Sequence, residues 1–190
     1  MNECFIYDFE TMSTRPVDGV IVSLGMLVYT ESRFAGNPYT YEELLEQGEF
    51  VKFDVKDQVV NHGRKVQSST VEWWSKQGAA AREKIKPLPT DVSISKLYDI
   101  MKSYAGNPEK VFTRGNTFDP MFVQSICGKE PYKWYNLRDT RSMIEGMMWG
   151  ADVENSFIPA GLEDKFVHHD PVHDVVMDVM RMQHVAQMIG

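Results

Sequence analysis

The sequence has few of the features that mark secreted or membrane-embedded proteins. Its 190 residues include only two cysteines, Cys4 and Cys127, which form no metal-binding or disulfide motif. No apolar run approaches the roughly 20 residues of a membrane-spanning helix, and the first residues lack the basic start of a secretory signal. We therefore expect a reduced, cytoplasmic protein without a membrane partner.

Positive charge is also scarce. The chain carries 20 Lys and Arg residues against 27 Asp and Glu residues, a net charge of −7. This argues against a long nonspecific grip on a phosphate backbone but allows an enzyme that acts at a chain end, because bound cations partly cancel the charge of metal-binding carboxylates. With 43% apolar residues the chain can form a sizeable core, and its length suits one domain over residues 1–190.

Hydrophobic patterning predicts strands first and then an alternation of strands with helices. Aromatic and β-branched stretches predict five strands, the first three forming an antiparallel meander with short connections. The expected strands are 4–10, 20–30, 50–55, 111–113 and 133–137. This order predicts an α/β fold, in which a sheet of mixed direction carries helices on its faces.

Helix boundaries are indicated by capping residues and prolines. Ser69 and Glu72 form a capping-box pattern. Asp119, Asp139 and Asp170 are placed as N-caps, two of them directly before a proline. The expected helices are 70–85, 92–104, one opening at 119, 139–149 and 170–189, with loops at 31–41 and 150–167.

Asp8 and Glu10 lie two residues apart on the first predicted strand. Alternate residues of a strand face the same side, about 6.5–7 Å apart. Two acids on one face of an otherwise apolar strand are costly unless they are paired, hydrogen-bonded or bound to a cation. Either this face is exposed at the end of the strand or the two acids bind a metal ion.

A second polar group opens the C-terminal helix. With Asp170 as N-cap, His169 falls at N′ and Asp174 at N4, positions that meet in a hydrophobic staple. A histidine beside a carboxylate can accept a proton near neutral pH, although an ordinary polar helix start explains the pattern too. No cysteine pair or H-E-x-x-H spacing supports a zinc site. Asp119 is similarly open, because a helix N-cap accounts for it as well.

The order of these motifs resembles the DEDDh exonuclease family. Asp-x-Glu occupies the first strand, an Asp follows a later strand, and His-x-x-x-x-Asp opens the last helix. Segments 69–74 and 169–174 resemble one branch in particular, the phage DexA-type exonucleases and their bacterial exoribonuclease relatives. The five family positions are Asp8, Glu10, Asp119, His169 and Asp174.

This resemblance implies an RNase H-like fold, a mixed five-stranded sheet flanked by helices, in a single exonuclease domain over residues 1–190. It implies a 3′→5′ exonuclease that hydrolyses single-stranded DNA or RNA from the 3′ end and releases nucleoside 5′-monophosphates. Four carboxylates would hold two Mg²⁺ or Mn²⁺ ions, and His169 would act as general base. Some relatives are dimers, so the resemblance also admits a homodimer.

Three histidines near the last helix compete for the role of base. Spacing favours His169, which stands five residues before Asp174 as the family pattern requires. His168, two residues before the cap, is interpreted as a loop residue or a hydrogen-bond partner. His173 falls in the first helical turn, where it caps or packs.

Substrate contacts are less clearly marked. Trp73 and Trp74 point about 100° apart on a helix, so one can pack in the core while the other stacks on bases; both could equally be core residues. The motifs that carry the resemblance add Thr11, Arg114 and Asn116 as substrate contacts. The candidate phosphate contacts are Lys52, Arg64, Lys65, Lys76 and Arg114.

Two other functions fit the same residues. One is a module that binds nucleic-acid 3′ ends without cutting them, and the other is a phosphodiesterase for small nucleotides with the same metals. The complete set of acids with a histidine argues against the first. The sequence does not distinguish DNA from RNA, because no residue is marked as a reader of the 2′-hydroxyl.

Overall fold

A mixed five-stranded sheet forms the centre of the computed structural model, which describes residues 3–149 and 154–189. The strand order is β3-β2-β1-β4-β5. β1 pairs antiparallel with β2 and parallel with β4, while β2–β3 is antiparallel and β4–β5 parallel. The strands are β1 (Glu3–Thr11), β2 (Ile21–Thr30), β3 (Glu49–Lys52), β4 (Lys110–Thr113) and β5 (Leu137–Asp139).

Helices cover both faces of this sheet. In the described ranges they are α1 (Arg33–Gly36), α2 (Tyr41–Gln47), α3 (Val55–His62), α4 (Ser68–Ser75), α5 (Ala79–Lys84), α6 (Leu97–Ala105), α7 (Asp119–Cys127), α8 (Thr140–Met147) and α9 (Pro171–Ile189). None of these helices combines the length and the apolar character needed to span a bilayer.

The central strand β1 alternates between two cores. Phe5 and Tyr7 belong to a cluster with residues of α6 and α7, whereas Cys4 and Ile6 belong to a cluster with residues of α9. Successive strand residues face opposite sides. The same alternation therefore directs residues 8 and 10 of β1 towards α9.

A close approach brings the start of α9 onto this face. Gly25 of β2 is the register partner of Asp8 in β1. A Cβ added at Gly25 would clash with the backbone of Pro171, the first residue of α9. Only glycine permits this separation, which places the first turn of α9 directly over the carboxyl-terminal half of β1.

The predicted α/β class and the mixed sheet are confirmed. The antiparallel arrangement of the first three strands is also correct, but the connection between β2 and β3 is not short, because the segment expected as a loop at 31–41 contains α1 and leads into α2. The sequence interpretation missed α2, whose N-cap Thr40 accepts a hydrogen bond from the Glu43 amide. The Gly-Asn-Pro run just before α2 is typical of a loop and therefore did not indicate a helix start.

Three predicted elements have different bounds, and one helix was not predicted. The third strand ends at Lys52, and an unpredicted helix α3 follows it, with Asp54 as N-cap and Gly63 in the left-handed region at its end. The expected helix 92–104 begins with a short 3-10 turn and becomes α6 at Leu97. In place of a strand at 133–137 there is a 3-10 turn followed by β5 at 137–139.

The expected helix 70–85 is two helices, α4 and α5, separated at residues 76–78. Gly78, a poor helix former, stands at the N-cap of α5. The capping box is also wrong. α4 begins at Ser68 with Gln67 at its N-cap, so Ser69 already lies inside the helix. The Gln67 carboxamide instead accepts hydrogen bonds from Ser13 and Thr14.

Candidate active site

Asp8, Glu10 and Asp174 form the centre of the site. Asp8 and Glu10 lie on the face of β1 that α9 covers, and Asp174 lies in the first turn of α9. Each residue has one carboxylate oxygen that lies within 4.8 Å of a carboxylate oxygen of each of the other two. Two residues from a strand and one from a distant helix thus converge on a single point.

These three carboxylates have no hydrogen-bond donor within the described part of the chain. Burial raises the pKa of Asp8 and of Glu10 well above the ordinary value, and repulsion from neighbouring acids adds to the shift. Burial likewise raises the pKa of Asp174 to about 7, with Asp178 and Asp170 as further causes. Buried acids without donors require a proton or a cation.

Asp119 lies beside this group rather than inside it. Its Oδ1 accepts a hydrogen bond from the Phe9 backbone N–H at 3.2 Å, and its negative charge raises the pKa of both Asp8 and Glu10. Burial raises its own pKa to about 7. The N-cap assignment is wrong, because Phe118 occupies the N-cap position of α7 and Asp119 is already helical. The carboxylate of Asp119 is directed to β1 instead.

The donor set fits a hard divalent cation. All its members are carboxylates, and oxygen ligands suit Mg²⁺ and Mn²⁺, whereas no cysteine or histidine belongs to the group of three. A bound cation would remove the repulsion that raises the pKa of each acid. The residues present are therefore suited to the ions that the sequence predicted.

His169 precedes α9 in a left-handed conformation. Its φ of 62° is the only positive value among the non-glycine residues of the described ranges. The ring packs edge-on against Trp73, with centroids 4.7 Å apart. No hydrogen bond or ion pair joins His169 and Asp174 in the part that the structure describes. A neighbouring acid does not raise its pKa; burial lowers it, with His168 as a second cause.

The other two histidines are engaged elsewhere. His168 is exposed and packs on Phe166, with ring centroids 4.3 Å apart. His173 lies on α9, where its Nδ1 is 2.7 Å from the Tyr41 hydroxyl. Asp170 caps α9 as predicted, because its Oδ1 accepts the Val172 N–H at 3.1 Å.

A second anchor of this segment is an ion pair. The Nζ of Lys84, on α5, lies 3.0 Å from Oδ2 of the buried Asp170. α5 is thereby tied to the residue that caps α9. No sequence pattern indicates this contact, because Lys84 lies at the end of a helix whose partner is not identifiable from the sequence.

An apolar pocket of about 410 Å³ opens next to Glu10. Trp73 is 42% exposed and Trp74 only 2% exposed, and both contribute to the pocket. The Nε1–H of Trp74 donates to the carbonyl oxygen of Thr11 at 2.9 Å, which ties α4 to the end of β1. The lining residues are Phe9, Glu10, Thr11, Thr14, Ser69, Thr70, Trp73, Trp74 and Phe118.

Arg114, expected as a substrate contact, belongs to a buried network behind the carboxylates. Its guanidinium donates to Asp178 at 2.7 Å and to the Asn155 side chain at 2.8 Å. Asp178 also accepts hydrogen bonds from Arg181 and Thr140. Sequence analysis missed Asp178, although it stands one helical turn after Asp174, because an acid in a helix is usually exposed.

The other predicted contacts are distributed around the molecule. The Thr11 hydroxyl donates to the Ser13 carbonyl at 2.8 Å, and Asn116 is exposed, with its Oδ1 accepting from Thr113. The remaining candidate cations already have protein partners, which are the Lys86 carbonyl for Lys52, the Gly19 carbonyl for Arg64, Asp18 for Lys65 and Glu72 for Lys76.

The sequence of residues 3–186 matches the family described as the Rv2179c-like 3′-5′ exoribonuclease domain. The chain belongs to this family. An exodeoxyribonuclease of Enterobacteria phage T4 is 33% identical over 209 aligned positions, which cover 96% of this chain and 88% of the phage protein. As a member of the Rv2179c-like family the protein is an enzyme, a 3′-5′ exonuclease acting on nucleic acid.

Solved structures of exonuclease I have the same fold. One that addresses how processivity is achieved aligns with a TM-score of 0.61 at 13% identity, covering 100% of this chain and 41% of that chain. The zinc-bound complex of E. coli exonuclease I with single-stranded DNA gives a TM-score of 0.60 at 14% identity and 40% coverage. The Rv2179c-like chain thus spans about two fifths of those proteins. The predicted RNase H-like fold is confirmed.

Proposed function

We propose that this exonuclease hydrolyses single-stranded DNA or RNA from the 3′ end and releases nucleoside 5′-monophosphates, with Mg²⁺ or Mn²⁺ as cofactor. The observation that carries the proposal is the group formed by Asp8, Glu10 and Asp174, whose ligand oxygens lie within 4.8 Å of one another. Burial and mutual repulsion raise the pKa of all three. Such a group is expected where a cation belongs to the working site.

The carboxylates would share two ions. Asp8, Glu10 and Asp174 would hold one directly, and Asp119, fixed by the Phe9 N–H, would contribute to the second. Ions bound there supply Lewis-acid stabilisation of the phosphodiester and lower the pKa of water. The task of the four residues is to present oxygen atoms from a central strand and two helix starts, so that the ligand geometry exists before substrate arrives.

His169 would take the proton of the attacking water. Burial lowers the pKa of its imidazole, so the ring is neutral and able to accept a proton at neutral pH. The left-handed backbone and the packing on Trp73 fix the ring position. General-base assistance of this kind contributes about 10²–10⁴-fold to the rate.

The terminal nucleotide would occupy the pocket of about 410 Å³ beside Glu10. Trp73 is the exposed tryptophan and offers its ring as a stacking platform, which accepts every base. The single-stranded DNA bound by the related E. coli exonuclease I supports the same substrate class. Because the candidate cations are engaged with protein partners and the net charge is −7, we expect a footprint of few phosphates.

The test uses matched DNA and RNA oligonucleotides labelled at either end, incubated with Mg²⁺, Mn²⁺ or EDTA. The proposal predicts that a 3′ label is released first, as a mononucleotide, while a 5′-labelled strand shortens one nucleotide at a time, and that EDTA stops both. Asp164→Asn, at an exposed loop acid outside the cluster, is the matched control and keeps the wild-type rate.

The rival functions give different products in this assay. A module that only binds 3′ ends retains the strand at full length in Mg²⁺. A phosphodiesterase for small nucleotides cleaves a dinucleotide far faster than a longer strand. Either result would contradict the proposal, as would release of internal fragments.

A further inference from the structure

Thr70 carries a buried hydroxyl without a partner. The residue is 9% exposed and lines the pocket beside Glu10. Its Oγ1 makes no hydrogen bond with any described residue. A buried hydroxyl that stays unpaired is costly, and native proteins rarely keep one without a reason.

The position of Thr70 on α4 places it on the wall that meets a ligand. Trp73 and Trp74 stand three and four residues later, so all three side chains share one face of the helix. The indole N–H of Trp74 is already committed to the Thr11 carbonyl. The hydroxyls of Thr11 and Thr14 are hydrogen-bonded to Ser13 and Gln67 respectively. Unlike these groups, the Thr70 hydroxyl is free to bond a ligand.

The neighbours of Thr70 on α4 decide which part of a nucleotide it can reach. Thr70 stands three residues before Trp73, so the two side chains lie on one face of the helix about one turn apart. Both line the pocket that Glu10 borders. The scissile phosphate belongs at the carboxylates and the base on the Trp73 ring, so the base lies beside Thr70.

We propose that Thr70 is a specificity-determining residue whose hydroxyl hydrogen-bonds the polar edge of the 3′-terminal base. The inference rests on the proposed function in that the pocket receives the terminal nucleotide. A threonine in a helix populates two χ1 rotamers, so its hydroxyl can turn into the pocket when a base enters. A base stacked on Trp73 then finds a hydrogen-bonding partner in the wall of the pocket.

The experiment compares wild type with Thr70→Val, which keeps the shape but lacks the hydroxyl, and with Thr70→Ser, which keeps the hydroxyl. Binding of the four nucleoside 5′-monophosphates and of ribose 5-phosphate is measured by calorimetry in Mg²⁺. Cleavage is measured on strands ending in each base or in an abasic site. Thermal unfolding is followed in parallel.

Thr70→Val should weaken binding and cleavage about 3- to 10-fold for at least one base, the scale of one neutral hydrogen bond. Ribose 5-phosphate and the abasic strand should be unaffected, and Thr70→Ser should resemble wild type. Because the orphan hydroxyl is removed, the free Thr70→Val protein should melt higher, by about 2–4 °C.

Other outcomes overturn the proposal. An equal loss on base-containing and base-free ligands would show that valine merely disturbs the pocket. No loss, with a raised melting temperature, would mean that the hydroxyl is unpaired and unused. If wild type releases no nucleotide at all, the proposed function fails, while the binding measurements with mononucleotides still decide the role of Thr70.

Discussion

The indole of Trp73 stands edge-on against the imidazole of His169, with ring centroids 4.7 Å apart and ring planes at 80°. This contact joins α4, which lines the pocket, to the residue that precedes α9. The proposed stacking platform and the proposed base therefore touch. Replacing one of these two rings is expected to affect the other. Trp74 has a different role, because its indole N–H anchors α4 to the Thr11 carbonyl.

The two tryptophans should separate binding from stability. Trp73→Ala should weaken binding of single-stranded substrate by about 1–3 kcal/mol, the usual scale of base stacking, with a modest change in melting temperature. Trp74→Ala removes a buried ring and its hydrogen bond and should lower the free energy of unfolding by about 3–5 kcal/mol. Fluorescence anisotropy and thermal denaturation measure the two effects. If both variants melt early and neither changes the Michaelis constant, the platform is wrong.

His169→Ala should lower single-turnover cleavage by at least about 10²-fold at saturating metal. The neutral ring is the active form, and burial lowers its pKa. Wild-type activity should therefore rise with pH from acidic values. The part of this rise that is due to His169 should be complete at a lower pH than for an ordinary histidine, whose pKa is near 6.5. His168→Ala and His173→Ala are the controls and should retain most of the rate. A large loss at His173 with little at His169 would contradict the assignment.

The acidic cluster should make the metal-free protein less stable as pH rises. Asp119 and Asp174 have pKa values of about 7 in the folded chain, above the roughly 3.9 of an unfolded aspartate. Below both values the two states hold the same protons. As pH increases from about 4 to about 7 the unfolded state releases protons that the folded state keeps, so stability contributed by these groups is lost.

Thermal melts in EDTA across this window test the effect. Asp174→Asn should melt higher than wild type near pH 7 and more nearly like it at pH 4, while Asp164→Asn follows wild type. Added Mg²⁺ or Mn²⁺ should raise the wild-type melting temperature more at pH 8 than at pH 5, because the ion displaces protons. A metal effect independent of pH would contradict the cluster as its site.

Arg114 should behave as a structural partner of Asp178. Arg114→Met removes charged hydrogen bonds to a buried carboxylate and should lower the free energy of unfolding by about 1.5–3 kcal/mol. The salt dependence of oligonucleotide binding should stay unchanged. Loss of a phosphate contact would reduce that slope by about 1, which would instead support the role that the sequence predicted. Arg15→Met, at an exposed ion pair, is the control.

The sequence predicted the sheet and the residues of the cluster because their signals are local. β1 and β2 are long apolar stretches, and Asp8 and Glu10 reveal their shared face through the two-residue period of a strand. Asp170 before Pro171 marks the start of α9 correctly. These features need no knowledge of distant partners.

The remaining features depend on contacts between distant segments. Asp119 carries an N-cap signature, yet the backbone N–H of Phe9, 110 residues away, binds its carboxylate. The pKa of His169 follows from burial rather than from the acid nearby in sequence. Asp178 becomes recognisable only once Arg114 and Thr140 are brought to it. These roles are determined by tertiary packing, which no local sequence pattern indicates.

The carboxylates on β1 and α9 are proposed to hold the ions needed to remove a 3′-terminal nucleotide. The most direct measurement is the single-turnover rate of mononucleotide release from a 3′-labelled single strand by wild type, Asp8→Asn and Asp164→Asn across a titration of Mg²⁺. We expect rapid, EDTA-sensitive release by wild type and Asp164→Asn, and none by a folded Asp8→Asn. Release by Asp8→Asn at the wild-type rate would contradict the account.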